Sequence, residues 1–459
     1  VLVGTDEDVD AIVPDDLELT REAHPPATVV VEPVSSRAWG WWLAAISALG
    51  LAIRVASVLG DRGLKPSGDA FYYFNGARLL VEGKGWLNPF IYFGYLGLPP
   101  HGSVQTASWP PLFVVVMAVP QAIGIHSFLA ARLWLCLVGI GAIVLVAYAG
   151  REIAGRRVGL LAAALMALYP NIWISTNLAL SEVLTPLLVS WVLWMAYRYW
   201  RKPSFRRVVW LGVAMGVTML ARDELSLLCL FLITPLVLST AGWSWARRGK
   251  ALALAALVVA LLIAPWVGFN LSRFDKPTFI STGLGVTVAS ANCPETYSGP
   301  NAGYWSFFCT ARIKVDSNAD ESVQSGQYEA AALHFIRQHL SELPKVELER
   351  EGRAFGFFRP AQQIQLDTTV DQHPYHWAIL GLGLYYVFFI GALGGSWVLR
   401  QRRIPIFPLW AVGANVAVAV LMTFGTTRYR TAFEVSLLLL TAVLVDQLLS
   451  SRHRGSHAL

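Results

Sequence analysis

Charge is what this chain has least of. Asp, Glu, Lys and Arg make up 14% of the 459 residues, hydrophobic residues make up 55%, and the mean hydropathy is +0.50. A soluble domain of this length has too little interior to hide so much apolar side chain, which leaves a polytopic membrane protein. A P-loop and a dinucleotide fingerprint are also missing. There is no internal repeat and no low-complexity tract. The first 36 residues are acidic and Pro-rich and lack the basic and apolar regions of a signal peptide, so they read as a disordered cytoplasmic tail.

The net charge of +6 does not indicate a nucleic-acid partner. Of the 36 Lys and Arg residues, 16 fall in the short segments 151–157, 198–207, 247–250, 400–403 and 452–454, each beside an apolar run. That clustering is the positive-inside signature of cytoplasmic loops. Ten apolar spans are predicted, near 39–60, 128–150, 157–173, 182–199, 208–222, 224–241, 250–271, 375–399, 404–424 and 431–449. With the N-terminal tail inside, they alternate so that every basic segment faces the cytoplasm. The piece 110–125 would reverse that order if it crossed. Its Pro110-Pro111 start and short length predict a re-entrant or surface-lying segment.

The expected fold class is therefore all-α, with ten to eleven spans, juxtamembrane helices and a small extracytoplasmic subdomain. The expected divisions are a tail over 1–37, a transmembrane module over 38–271 with an outer loop at 61–126, an outer subdomain over 272–374, closing helices over 375–450 and a tail over 451–459. The segment 272–374 carries 9 Lys and Arg against 12 Asp and Glu, and its patterning predicts helices near 325–340 and 345–357. Two of the four cysteines, Cys136 and Cys229, fall within spans as small hydrophobes. Cys293 and Cys309 fall in the outer segment, where oxidation would join them. Neither has a second Cys or His at ligand spacing, which argues against a metal there.

Scarce charge makes each membrane-depth charge informative. Arg54, Arg132, Glu182, Arg222, Asp223, Glu224, Arg428 and Arg430 map to the outer ends of their spans, and Asp69 opens an aromatic segment just beyond the first span. Each has a bland reading. Asp69 is placed to cap a helix, Glu182 favours a helix dipole, Arg222 to Glu224 can neutralise one another, and Arg428 and Arg430 can meet lipid headgroups.

The order of several motifs nevertheless resembles the GT-C membrane glycosyltransferases, in the branch of protein O-mannosyltransferases and aminoarabinose transferases. Its anchors are Ser67-Gly68-Asp69 with Tyr72-Tyr73, then Ser108-Trp109-Pro110-Pro111, Leu180-Ser181-Glu182, Ala221-Arg222-Asp223-Glu224, Pro265-Trp266, Ala291-Asn292-Cys293, Gly303-Tyr304-Trp305 and Arg428-Tyr429-Arg430. The resemblance implies inverting transfer of a sugar from a polyprenyl phosphate to a hydroxyl of a cell-envelope glycan, glycolipid or protein at the outer face of the plasma membrane. By position Asp69 and Glu182 are the catalytic acids. Arg428, Arg430 and Arg222 are expected to meet the donor phosphate, and Tyr72, Tyr73, Arg54, Glu224 and Trp305 to contact substrate.

Trp109 departs from the His that relatives place before the Pro-Pro, and His101 is the substitute within reach. A divalent cation shared by Asp69 and Glu182 stays open. Two other readings were weighed: a secondary transporter of a polar or anionic solute, disfavoured by the missing repeats, and a non-catalytic polysaccharide assembly protein, disfavoured by the retained charges.

Overall fold

The computed structural model describes residues 35–95 and 104–455, so residues 1–34 of the expected tail over 1–37 and His101 lie outside the described residues. Among the described residues there are helices and turns but no strand, with a single bridge pairing Leu87 and Gln105. The described residues form one compact unit.

Among the described residues, five helices are long and apolar enough to cross a membrane: Ser36–Gly60, Phe128–Ala154, Trp245–Arg273, Tyr375–Gln401 and Thr427–Ser451. A bent pair, Arg156–Leu168 and Pro170–Leu178, supplies a sixth if it acts as one span. The chain is thus a multi-pass membrane protein. Leu184–Arg201, Phe205–Ala221 and Phe407–Met422 complete the bundle with 18, 17 and 16 residues.

Proline explains where continuous apolar runs break. The expected span near 157–173 turns by 50° ahead of Pro170, whose ring prevents the residue before it from continuing a helix. The run expected over 224–241 is three short pieces, a 3-10 turn over Asp223–Leu227, a π turn over Cys229–Ile233 and the helix Thr234–Leu238, which carries Pro235 in its first turn. The Thr234 hydroxyl donates to the Cys229 carbonyl there. The segment 110–125 contains the helix Leu112–Ala122, 11 residues with Pro120 inside it, about 17 Å long and well short of a crossing.

Glycine permits close helix contact. A Cβ at Gly395 of Tyr375–Gln401 would overlap the Leu440 carbonyl of Thr427–Gly455. Such small residues let two helix backbones touch where lipid gives no hydrophobic drive for association.

In the outer segment the helices begin earlier than patterning predicts, at Glu321–Gln338 and Leu343–Ala354. Asp320 caps the first, accepting from the Val323 N–H at 2.9 Å, and Pro344 sits in the first turn of the second. A further helix, Pro360–Thr369, was not foreseen. Two buried arginines tie this segment together. Arg350 donates to the Ala291 carbonyl and Asn292, Arg353 donates to the carbonyls of Ala302 and Pro300, and Cys293 is bonded to Cys309 beside them. The Glu321 carboxylate then joins the segment to the first outer loop, accepting from Asn88, Thr106, the Ala107 N–H, Ser108 and Thr282.

Candidate active site

Asp69 stands in the first turn of the helix Gly68–Val81, but it does not cap that helix. The N-cap is Ser67, and Asp69 Oδ2 accepts from Arg428 Nη2 at 2.7 Å instead. Gly68 lies at φ +50°, a backbone region natural to glycine, and its N–H donates to the Tyr95 hydroxyl. That turn starts the helix where its first carboxylate reaches the bundle.

Glu182 sits on the short turn Ser181–Val183 ahead of Leu184–Arg201, after Ala179 closes the preceding helix in a left-handed conformation. Its Oε1 accepts from Arg428 Nε at 2.7 Å and from Arg222 Nη1 at 3.0 Å, and Arg222 also holds Glu224 at 2.6 Å. The third Arg428 nitrogen, Nη1, donates to Asp371 at 3.3 Å. One planar guanidinium therefore engages three carboxylates from three distant parts of the chain, one through each nitrogen. Asp69 is the most open of the group at 25% exposure, against 21% for Arg428, 9% for Asp371 and 2% for Glu182. The open acid can reach an incoming molecule, while the enclosed one can only hold its neighbours.

Asp371 follows the helix Pro360–Thr369. Burial pushes its carboxyl up to about 6, and the nearby negative charges of Asp69 and Glu182 push the same way against the pull of Arg428. Burial lowers His373 and raises Asp367, and the two face one another. A cavity beneath the cluster is lined by Glu182, Asp367, His373, Arg428, Arg430 and Glu434, among others. Glu182 Oε2, Glu434 Oε2 and His373 Nε2 are buried in its wall without a hydrogen-bond partner.

The expected residues divide clearly. Asp69, Glu182, Arg222, Glu224 and Arg428 come together, and the Tyr73 hydroxyl joins them through Ser181. Arg430, two residues past Arg428, turns into the bundle. It pairs with Glu434 at 2.8 Å, lies 3.8 Å over the Tyr385 ring and reaches the cavity only as wall. Tyr72 points toward Thr106, at 3.1 Å. Arg54 is placed elsewhere, buried at 1% exposure and bonded to the Gly50 carbonyl, with Gly139 giving it room. Trp305 stacks on Tyr304 and meets Phe424, which in turn touches Tyr429. Trp109 packs on Tyr72 at 4.4 Å.

Sequence reasoning missed Asp371, His373 and Asp367, and it named Tyr304 only as part of a motif; burial and Asp371 raise the Tyr304 hydroxyl. Pro374, which ends the loop and precedes the helix Tyr375–Gln401, was the available signal that 371–373 are held against the span.

The sequence model of the dolichyl-phosphate-mannose-protein mannosyltransferases matches residues 108–269, a stretch that holds Glu182 and Arg222 but neither Asp69 nor Arg428. Among solved structures, the oligosaccharyltransferase AglB of Archaeoglobus fulgidus, in complex with an inhibitory peptide and a dolichol-phosphate, superposes with TM-score 0.53 at 16% identity. The match covers 91% of this chain and 52% of that one. This is the GT-C fold. The chain spans about half the length of the archaeal enzyme. A second structure of that oligosaccharyltransferase, in complex with Zn and sulfate, matches with TM-score 0.52 at 17% identity over 90% of this chain and 49% of that one. ArnT of Cupriavidus metallidurans bound to undecaprenyl phosphate matches at 15% identity and TM-score 0.43, covering 89% of this chain and 78% of that one. No curated protein matches the sequence. The GT-C resemblance drawn from the order of motifs thus agrees with both the family match and the fold.

Proposed function

We propose that this GT-C protein is a membrane glycosyltransferase that moves a sugar from a polyprenyl-phosphate donor to a hydroxyl of a cell-envelope glycan, lipid or protein, with inversion. The gathering of Asp69, Glu182 and Arg222 around Arg428 is the observation that supports it. The family match and the dolichol-phosphate bound by the archaeal neighbour point the same way.

In this reading Asp69 takes the acceptor proton on the carboxylate oxygen that does not face Arg428. The acceptor oxygen forms a bond to the anomeric carbon as the bond from that carbon to the phosphate oxygen breaks, and the polyprenyl phosphate leaves. Arg428 and Arg222 meet the charge that develops on it, an interaction strongest where water is excluded. Glu182 keeps the two guanidinium groups side by side against their mutual repulsion. Tyr73 and Glu224 border the same space, while Arg430 acts through Glu434 and the cavity wall.

We place the reaction on the outer face of the plasma membrane, with both termini inside. The helix Leu184–Arg201 begins beside Glu182 and ends at Arg198 and Arg201, about 27 Å away, so the site lies opposite the basic clusters. The 61–126 loop and the 272–374 segment then form the outer parts, between transmembrane modules over 38–271 and 375–450.

Sugar release from polyprenyl-phosphate sugars by the purified protein in detergent tests this, because a transporter has no gradient there. Asp69→Asn should lower turnover about 10²–10⁴-fold while donor binding persists. Turnover that survives the change would remove Asp69 as the base.

A further inference from the structure

We propose that the cation of this site is the Arg428 guanidinium itself, and that the carboxylates around it work without a divalent metal ion. What those carboxylates do rests on the glycosyl-transfer reading. How their charge is balanced does not.

Acidic side chains gathered in one low-dielectric place need a positive centre, supplied by an ion or by a basic side chain. Here the centre is filled. Arg428 donates to Glu182 at 2.7 Å, to Asp69 at 2.7 Å and to Asp371 at 3.3 Å, so its fork lies where an ion bridging Asp69 and Glu182 would have to sit. Arg222 adds a second guanidinium on the same Glu182 oxygen, 3.0 Å away. A metal ion entering between Asp69 and Glu182 would meet two fixed positive charges, one of them on a helix largely enclosed by the bundle. The donor set therefore does not fit a divalent ion.

Among the described residues, the one group of three or more His, Cys, Asp or Glu ligands close enough to share an ion is Cys293, Glu295 and Cys309, and its two sulfurs are already joined.

The substitution suits the chemistry. A guanidinium carries five N–H groups in a plane, of which three point at the carboxylates, which leaves two for a phosphate oxygen. A lysine ammonium has only three N–H groups, so one engaging three acids would have none left for a phosphate oxygen.

The test is Mn²⁺ titration of the full-length, chelator-stripped protein in detergent, followed by electron paramagnetic resonance. The wild type should show no site tighter than about 1 mM, the weak end for carboxylate-built sites. Arg428→Ala leaves Asp69 and Asp371 without their cation and Glu182 with Arg222 alone, and should gain such a site, and Asp69→Asn added to it should remove the gain. A tight wild-type site that Asp69→Asn abolishes overturns the proposal. So does an Arg428→Ala protein that folds yet binds no Mn²⁺. Should that variant fail to fold, the wild-type titration decides alone. Sugar release should withstand EDTA, and a loss restored by Mn²⁺ would also overturn the idea. Absence of release with every donor would count against glycosyl transfer only, since the titration does not depend on turnover.

Discussion

At the residue scale, the site is an exercise in charge balance, and Asp371 is its most pH-sensitive member. Its carboxyl titrates near 6 in the folded protein against an ordinary value of 3.8. A raised acid favours folding below its unfolded value and loses that contribution as pH rises through 6. Asp371→Asn removes the titration, so its melting temperature relative to wild type should rise between pH 4 and 7.5, on the order of 1–3 kcal/mol of stability. A constant difference across that range, measured by thermal unfolding in detergent, would show that Asp371 keeps an ordinary carboxyl. Asp371 was not legible in the sequence, because an acid in a polar loop is normally solvated and only packing encloses it. Asp69, Glu182, Arg222 and Arg428 were legible because charge at the ends of apolar spans is costly and stands out. The same logic misassigned the surroundings of Arg430 and Arg54. Glu434 sits four residues after Arg430, a spacing that lets the two pair along one helix, and this was in view but unused.

At the element scale, long apolar helices were readable to within a few residues, whereas broken ones were not. Hydropathy reports how apolar a run is and says nothing of whether its backbone stays straight. Pro170 and Pro235 mark the breaks, and both flank segments that carry or support the site. Close helix contacts were equally hidden, since a glycine in an apolar run has the same appearance whether it faces lipid or a neighbouring backbone. Gly395→Val should therefore lower stability by about 1–3 kcal/mol through overpacking against the Leu440 carbonyl. Gly383→Val on the same helix, where a Cβ meets nothing within 4 Å, should cost much less. Parallel melting curves of the two variants check the contrast, and equal losses would remove the contact as the cause.

At the scale of the whole molecule, the arrangement makes a claim about sidedness. Ser298 of the outer segment is exposed, and Lys202 is exposed at the basic end of Leu184–Arg201. With the native free cysteines replaced, a cysteine at 298 should react with a membrane-impermeant thiol reagent on intact cells, and one at 202 only after the cells are opened. The reverse pattern would turn the molecule over and move the proposed reaction into the cytoplasm. The basic clusters carried this orientation in the sequence. The contribution of 272–374 did not show there, since Glu321, Arg350 and Arg353 act by reaching across long stretches of chain.

The helix that bears Arg428 is also the most enclosed of the spans, with 72% of its most apolar stretch packed inside the protein. It behaves as a mast. Asp69, by contrast, rides on a short peripheral helix, and Asp371 on a coil between two others. On the proposed reading, admitting a lipid phosphate is expected to displace Asp69 and Asp371 and to leave the enclosed helix that bears Arg428 in place.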